Sequence, residues 1–299
     1  MVSRTGFISM LVLCGLLILS GKVIAQTLPE SINWNYGPGQ VDVGKNLAQL
    51  KLSEDVVFAD EHDTKIIMEI AGNPASGREI GLVMPRSYSP DWFVVFEYDG
   101  LGYIRDDEAD TLNADALLEN IIRGTEAANK IRKSKGQPPV YVIGWDKKPH
   151  YDPISHNLVW SILGESEGEK IINYNTRLLG RKGYISATLV VKPDTFVLAK
   201  PQLALVLGNL SYKRGMMYAD FIPGKDKVAG IGLAALIAGG GGTAAVKAAK
   251  AGLFVKFWKV ILAVLLVGKK FVIIAFIGLI ALLGKLFRRR STFDQHNLQ

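Results

Sequence analysis

The sequence predicts an α+β domain, a largely antiparallel sheet with two or three packed helices, followed by a C-terminal transmembrane helix. Three observations predict this. Val140 to Gly144, His156 to Leu163, Ile171 to Leu179 and Gly183 to Val191 read as strands joined by short connections, and consecutive strands so joined form an antiparallel meander. Asn113 to Lys135 repeats apolar residues at helical spacing. Val260 to Leu283 holds 17 Leu, Ile, Val or Phe residues, about the length that crosses a bilayer.

The first residues read as an export signal. Arg4 gives a basic start, Gly6 to Leu19 form a short apolar centre, and Val23-Ile24-Ala25 is a small-residue exit that predicts cleavage before Gln26. Cys14 is the only cysteine in the sequence. The processed chain then has no disulfide, thiol nucleophile or thiolate metal ligand.

Gln40 to Gly44, Leu47 to Leu52 and Val56 to Ala59 read as short strands. Asp63 is a candidate cap for a helix carrying Ile66, Ile67 and Ile70, stopped by Gly72-Asn73-Pro74. Ile80 to Met84 and Trp92 to Tyr98 are the next strands, and the second is apolar on both faces apart from Glu97, as a central strand would be. In the long helix Leu117, Ile121, Gly124, Ala128 and Ile131 form one stripe. Asn113 can cap its start, and Gly136 with Pro138-Pro139 stops it. The acidic stretch Glu165 to Lys170 predicts one of the strand turns, and Pro201 to Leu210 predicts a last helix.

Charge divides the chain. Residues 225–299 carry twelve Lys or Arg against Asp226 and Asp294, whereas 26–224 carry 21 basic and 26 acidic residues. The formal net charge of +7 therefore belongs to an apolar tail. The bulk of the chain would be repelled by phosphate, which argues against nucleic acid as a partner. Within Val260 to Leu283, two lysines, Lys269 and Lys270, oppose insertion by about 5–7 kcal/mol against roughly 5–10 kcal/mol gained from the apolar residues. One crossing with Val260, Phe271 and Leu283 in its frame is the first reading. Three crossings, or a basic interfacial region, are the alternatives. Arg288, Arg289 and Arg290 then belong on the cytoplasmic side.

The expected organisation is a signal peptide over 1–25, a periplasmic domain over 26–224 and a Gly/Ala/Lys-rich membrane-proximal segment over 225–259. A transmembrane helix over 260–284 and a basic tail over 285–299 complete it. The localisation this implies is a bacterial inner membrane, single-pass, with the main domain in the periplasm. The lipid bilayer is the first expected partner, with envelope proteins, a peptide or a glycan beyond it.

His150 and His156 stand six apart with Asp146 and Asp152 nearby; that spacing fits no helical zinc pair, and a turn shaped by Pro149 and Pro153 explains it more simply. Asp106 and Asp107 open an acidic cluster with Glu108 and Asp110 that lacks the order of a calcium loop. Ser76-Gly77 lacks the nucleophile elbow, and Gly239 to Gly242 lack the lysine of a phosphate loop. Asp106, Asp107 and His150 are thus weak catalytic candidates, and neither metal nor cofactor is expected. Trp34, Trp145 and Tyr151 are expected in Gly/Pro-rich loops, where aromatic rings either line a groove or plug the ends of a sheet. Arg181, between glycines in LGRKG, can clamp an anionic ligand or pair with an internal acid such as Asp106 or Asp107.

Several rare residues recur in a recognisable order. They are Asn33-Trp34 with Gly37-Pro38, Gly72-Asn73-Pro74, Gly102-Tyr103-Ile104 before Asp106-Asp107, and Gly144-Trp145 with Pro149 and Tyr151-Asp152. Asn173-Tyr174, Leu179-Gly180-Arg181 with Gly183, and Gly215 with Tyr218 to Phe221 before Asp226-Lys227 complete the series. From Ile32 to Leu236 the chain resembles the bacterial family of uncharacterised membrane-anchored proteins known as domain of unknown function 2167. The resemblance implies an export signal, a periplasmic domain and a C-terminal anchor, and it implies no reaction or ligand. A binding, sensing or assembly module in the envelope is the expected function, with a membrane-tethered hydrolase using Asp106, Asp107 or His150 as the alternative.

Overall fold

Eleven strands and four α-helices make up the described part of the computed structural model, which covers residues 31–70, 76–87, 92–134 and 136–238. The expected signal peptide, the Gly72-Asn73-Pro74 stop, the transmembrane helix over 260–284 and the basic tail lie outside these residues. Among the described residues no helix is long and apolar enough to cross a membrane.

An eight-stranded sheet has the order β1-β4-β5-β6-β10-β9-β8-β7, with every neighbour antiparallel. Its strands are β1 (Asn35–Tyr36), β4 (Val56–Ala59), β5 (Glu79–Pro85), β6 (Val94–Asp99), β7 (Tyr141–Asp152), β8 (Asn157–Ser166), β9 (Glu169–Gly180) and β10 (Gly183–Val191). A small second sheet joins β2 (Gly39–Val43), β3 (Ala48–Leu52) and β11 (Leu210–Tyr212). The helices are α1 (Glu61–Ile70), α2 (Ala114–Ser134), α3 (Pro193–Gly208) and the short α4 (Leu233–Ile237). The α+β class and the antiparallel sheet agree with the sequence pattern, and β6 takes the interior position expected from its two apolar faces.

Period-two alternation sorts side chains onto two faces. On one, Phe58, Val83, Phe96, Ile185, Ala187 and Leu178 are buried with Leu50 of the small sheet and with Phe196, Ala199, Leu203 and Val206 of α3. On the other, Ile67 of α1 packs with Val57, Leu82 and Met84, while Leu117 and Ile121 of α2 pack with Leu158, Trp160 and Ile162 of β8. A polar row crosses that second face in register, from Arg177 through Ser186 and Glu97 to Glu79. Arg177 is buried, and among the described residues no carboxylate lies in ion-pair range of it. Its guanidinium carbon sits 4.7 Å from the Trp160 ring centroid and 5.8 Å from that of Tyr184, and burial depresses its basicity.

Several boundaries differ from the sequence reading for identifiable reasons. Asp60 caps α1, its Oδ1 accepting the His62 and Asp63 amides at 2.9 and 3.1 Å; Asp63 is buried and accepts the Asn33 amide at 2.9 Å. The acidic turn shrinks to Glu167-Gly168, both at positive φ, so β8 and β9 pair to the very tip. Strand β7 runs on past Gly144, with three register shifts along its length that an edge strand tolerates, so Trp145, Pro149, His150 and Tyr151 lie within a strand rather than in loops and the turn comes at residues 153–156. Helix α3 begins at Pro193, eight residues before the expected start, because Pro201 sits inside it on an exposed face where the carbonyl four residues back can face water. The buried stripe of α2 passes through Thr125 and Arg132. Thr125 is satisfied by the Ile121 carbonyl at 2.9 Å and Arg132 Nε by the Pro138 carbonyl at 2.6 Å. Asn113 caps α2 as expected, its Oδ1 accepting the Ala116 amide at 3.0 Å.

Candidate functional site: the aromatic end of the sheet

Four segments meet at the end of the large sheet where β6 and β9 finish. The turn at residues 153–156 is shaped by Asp152, which accepts from the Ile154 amide at 2.9 Å and the Ser155 hydroxyl at 2.7 Å. His156 closes that turn at φ 54° and accepts the Leu179 amide on its carbonyl at 3.0 Å. The β9–β10 connection, Arg181-Lys182, accepts the Gly102 amide on the Lys182 carbonyl at 3.0 Å. Gly183 is required there, since a Cβ would lie 2.0 Å from the Asp99 carbonyl oxygen and φ is +156°. Residues 101–106 and 213–230 then cross this end and join by two backbone bonds: the Tyr103 amide to the Lys227 carbonyl at 2.8 Å, and the Ala229 amide to the Tyr103 carbonyl at 2.7 Å.

Four rings stack in sequence across the junction. Phe221 and Tyr103 centroids are 3.9 Å apart, Tyr103 and Tyr218 are 4.5 Å apart, and Tyr218 and His156 are 4.2 Å apart. Beside them the buried Tyr151 hydroxyl donates to Asp106 Oδ2 at 2.8 Å and lies 3.0 Å from His156 Nδ1. A hydroxyl has one proton. With that proton directed at Asp106, it accepts from His156, which assigns a hydrogen to Nδ1. Burial, then the Asp106 carboxylate, push the Tyr151 phenol far above its ordinary range; burial does the same for Tyr218, which donates to the Ile104 carbonyl at 2.8 Å. Both phenols stay protonated, so neither is presented as a nucleophile.

Arg181 closes a second junction. Its Nε and Nη2 donate to Asp226 Oδ2 and Oδ1 at 2.7 and 2.9 Å, a two-point clamp, and Nη1 donates to the Gly215 carbonyl at 3.3 Å. The guanidinium, with help from the Ile222 amide at 2.7 Å, holds the Asp226 carboxyl down to about 2. The partner is thus Asp226, and the expected pairing with Asp106 or Asp107 is corrected: Asp106 faces Tyr151, and Asp107 is exposed.

The remaining candidates are separate. His150 is exposed on the edge strand opposite Val159 and shares no hydrogen bond with either acid. The Trp145 indole donates to the Ala114 carbonyl at 3.2 Å and ties α2 to β7. Trp34 is half-buried against the α1 cluster. The anchor residues Val260, Phe271, Leu283 and Arg288 to Arg290 lie outside the described residues. Among the described residues no three His, Cys, Asp or Glu side chains gather as a metal site. A cleft of about 20 Å³ between Val140, Val142, Ile162, Ile171 and Val190 is apolar apart from Asn173 and contains none of the candidates.

Sequence reasoning weighed His156 only as one of a histidine pair and did not single out Tyr218, Phe221 or Asp226 as site residues. Their signal lay in the ordered motifs, since Tyr103, Asp106, Tyr151, Tyr218 to Phe221 and Asp226 all belong to that series and all arrive at one end of the sheet.

No curated protein matches the sequence. Among solved structures, the chain is similar to the cyanobacterial PsbP of Synechocystis, with 10% identity, a TM-score of 0.36, and coverage of 58% of this chain and 92% of that one. It is also similar to PA94, a protein of unknown function from Pseudomonas aeruginosa, with 12% identity, a TM-score of 0.24, and coverage of 55% and 91%. Likenesses this loose carry no functional inference. The family model for the protein of unknown function DUF2167 matches residues 35–281, and the chain belongs to that family.

Proposed function

We propose that the chain is a membrane-anchored envelope protein whose α+β domain works as a binding, sensing or assembly module outside the inner membrane. One observation carries the choice of module over hydrolase. The acids and histidine that hydrolysis would need do not converge: Asp106 is engaged by a neutral phenol, Asp107 and His150 are exposed and separate, and Arg181 is closed on Asp226. A working acid–base site brings such groups together in one pocket. Trp145 and Tyr151, by contrast, brace elements of the domain, as a rigid display surface requires.

The export pattern at Val23-Ile24-Ala25 and the apolar, arginine-closed tail support the anchoring and its orientation. Labelling with a membrane-impermeant maleimide in spheroplasts tests both, in a full-length Cys14→Ser background. Lys170→Cys, exposed at the far end of the sheet, should label in intact spheroplasts, and Thr292→Cys only after lysis. Labelling of Thr292→Cys in intact cells would overturn the orientation.

A further inference from the structure

The aromatic end of the sheet carries exposed apolar side chains from two separate segments. Ile154 is 91% exposed at the tip of the 153–156 turn, and Met217, Ile222 and Val228 are 42%, 41% and 37% exposed in the segment that crosses the same end. They are neighbours through the stack beneath them. Met217 precedes Tyr218, Ile222 follows Phe221, Val228 is bridged to Tyr103, and Ile154 tops the turn that His156 closes.

Lys182, Arg214, Lys225 and Lys227 are exposed among them, and among the described residues none is in an ion pair. The acids of the segment are already engaged, Asp226 by Arg181 and Asp220 by the Met217 amide at 2.9 Å. Asp107 and Asp110 are the exposed carboxylates of the adjoining acidic cluster. Apolar tips set among unpaired cations match the boundary between acyl chains and anionic headgroups.

The chain's continuation names the occupant. The described residues end at Ala238, just after α4, whose Leu233, Leu236 and Ile237 are buried in one cluster with Tyr218, Tyr151 and Ile104. The 61 residues that follow contain the Val260 to Leu283 apolar run. A bilayer holding that run stands within chain reach of this end, whereas a soluble partner would have to be recruited to it.

We infer that this end of the sheet is a second, peripheral membrane contact: Ile154, Met217, Ile222 and Val228 enter an anionic phospholipid surface while Lys182, Arg214, Lys225 and Lys227 sit among its headgroups. The inference rests on the anchoring proposed above. It gives the stacked rings and the Arg181–Asp226 clamp a purpose, since shallow insertion needs tips held on a rigid base.

The test uses the full-length chain, Cys14→Ser, in phosphatidylcholine vesicles with or without phosphatidylglycerol, their acyl chains brominated or not. A fluorophore is placed on Ile154→Cys, Ile222→Cys or, at the far end, Lys170→Cys. Bromolipid should quench the first two labels at least about two-fold more than the third, more strongly with phosphatidylglycerol present. Lys225→Glu with Lys227→Glu should bring the quenching of the first two labels down towards that of the third in vesicles containing phosphatidylglycerol, since each lost cation weakens the headgroup contact roughly five-fold. Equal quenching at all three labels, in protein that survives a carbonate wash, would overturn the contact while leaving the anchor intact. Loss of the protein to the wash would overturn the anchor, and the contact would then stand or fall on whether freshly added vesicles quench positions 154 and 222.

Discussion

Tyr212→Phe should weaken the domain far more than the loss of one oxygen suggests. The Tyr212 hydroxyl accepts from the Ile185 amide at 2.9 Å and donates to the Leu178 carbonyl at 2.8 Å. Leu178 and Ile185 are register partners on β9 and β10, so the hydroxyl bridges the ladder itself. The ring also fills the space beside Gly180, where a Cβ would meet it at 2.6 Å. Burial drives the phenol well above its ordinary range, so no ionised form competes. Phenylalanine keeps the ring and orphans one buried donor and one buried acceptor. At about 1–3 kcal/mol for each orphan, less what is recovered if the two strand partners close on each other, the expected loss is about 2–4 kcal/mol. For a domain of this size that is roughly a 5–15 °C drop in Tm. Urea denaturation followed by near-ultraviolet circular dichroism measures it, with the exposed Tyr141→Phe as a control expected to change nothing. A Tyr212→Phe loss below about 0.5 kcal/mol would refute the bridge.

Other perturbations follow from the same geometry. Because Asp226 is held near 2, below the carboxylate's ordinary 3.8, its contribution to the folded state is complete above about pH 4 and fades as the pH falls towards 2. Protection factors for hydrogen exchange over residues 213–230, taken against the intrinsic exchange rate at each pH, should therefore fall across that window, and Asp226→Asn should lower them already at neutral pH; an unchanged profile would remove the clamp from the account. Tyr151→Phe deprives Asp106 and His156 of their shared hydroxyl and should cost about 1–3 kcal/mol in chemical denaturation, with a shift of the His156 ring resonances. Gly183→Ala, whose Cβ would lie 2.0 Å from a backbone oxygen at φ +156°, should lose more than about 3 kcal/mol or fail to accumulate. Gly124→Ala, on α2 with open space around it, should gain about 0.5–1 kcal/mol by thermal melt.

Local physics was legible in the chain. Short runs rich in β-branched and apolar residues placed β4 and β10 with their observed ends, and the Asn113 cap and Pro138-Pro139 stop fixed α2 because both depend on neighbours a few residues away. The errors came where tertiary contact overrides a local preference. Asp63 is a good cap by type, but Asp60 takes that role while Asp63 is spent on the Asn33 amide thirty residues back. Thr125 and the Nε of Arg132 find nearby carbonyls on the inward face of α2, which no hydropathy pattern can anticipate. The aromatic end is the extreme case. Asp106 meets Tyr151 and Arg181 meets Asp226 each across 45 residues, so the individual residues were visible and their convergence was not.

Membrane fractionation of the native protein, with intact-mass determination of its N-terminus, tests the central proposal most directly. Mooring by the Val260 to Leu283 segment after export predicts a carbonate-resistant membrane pellet containing a chain that begins at Gln26. A full-length chain bearing Met1 in the soluble fraction would contradict it.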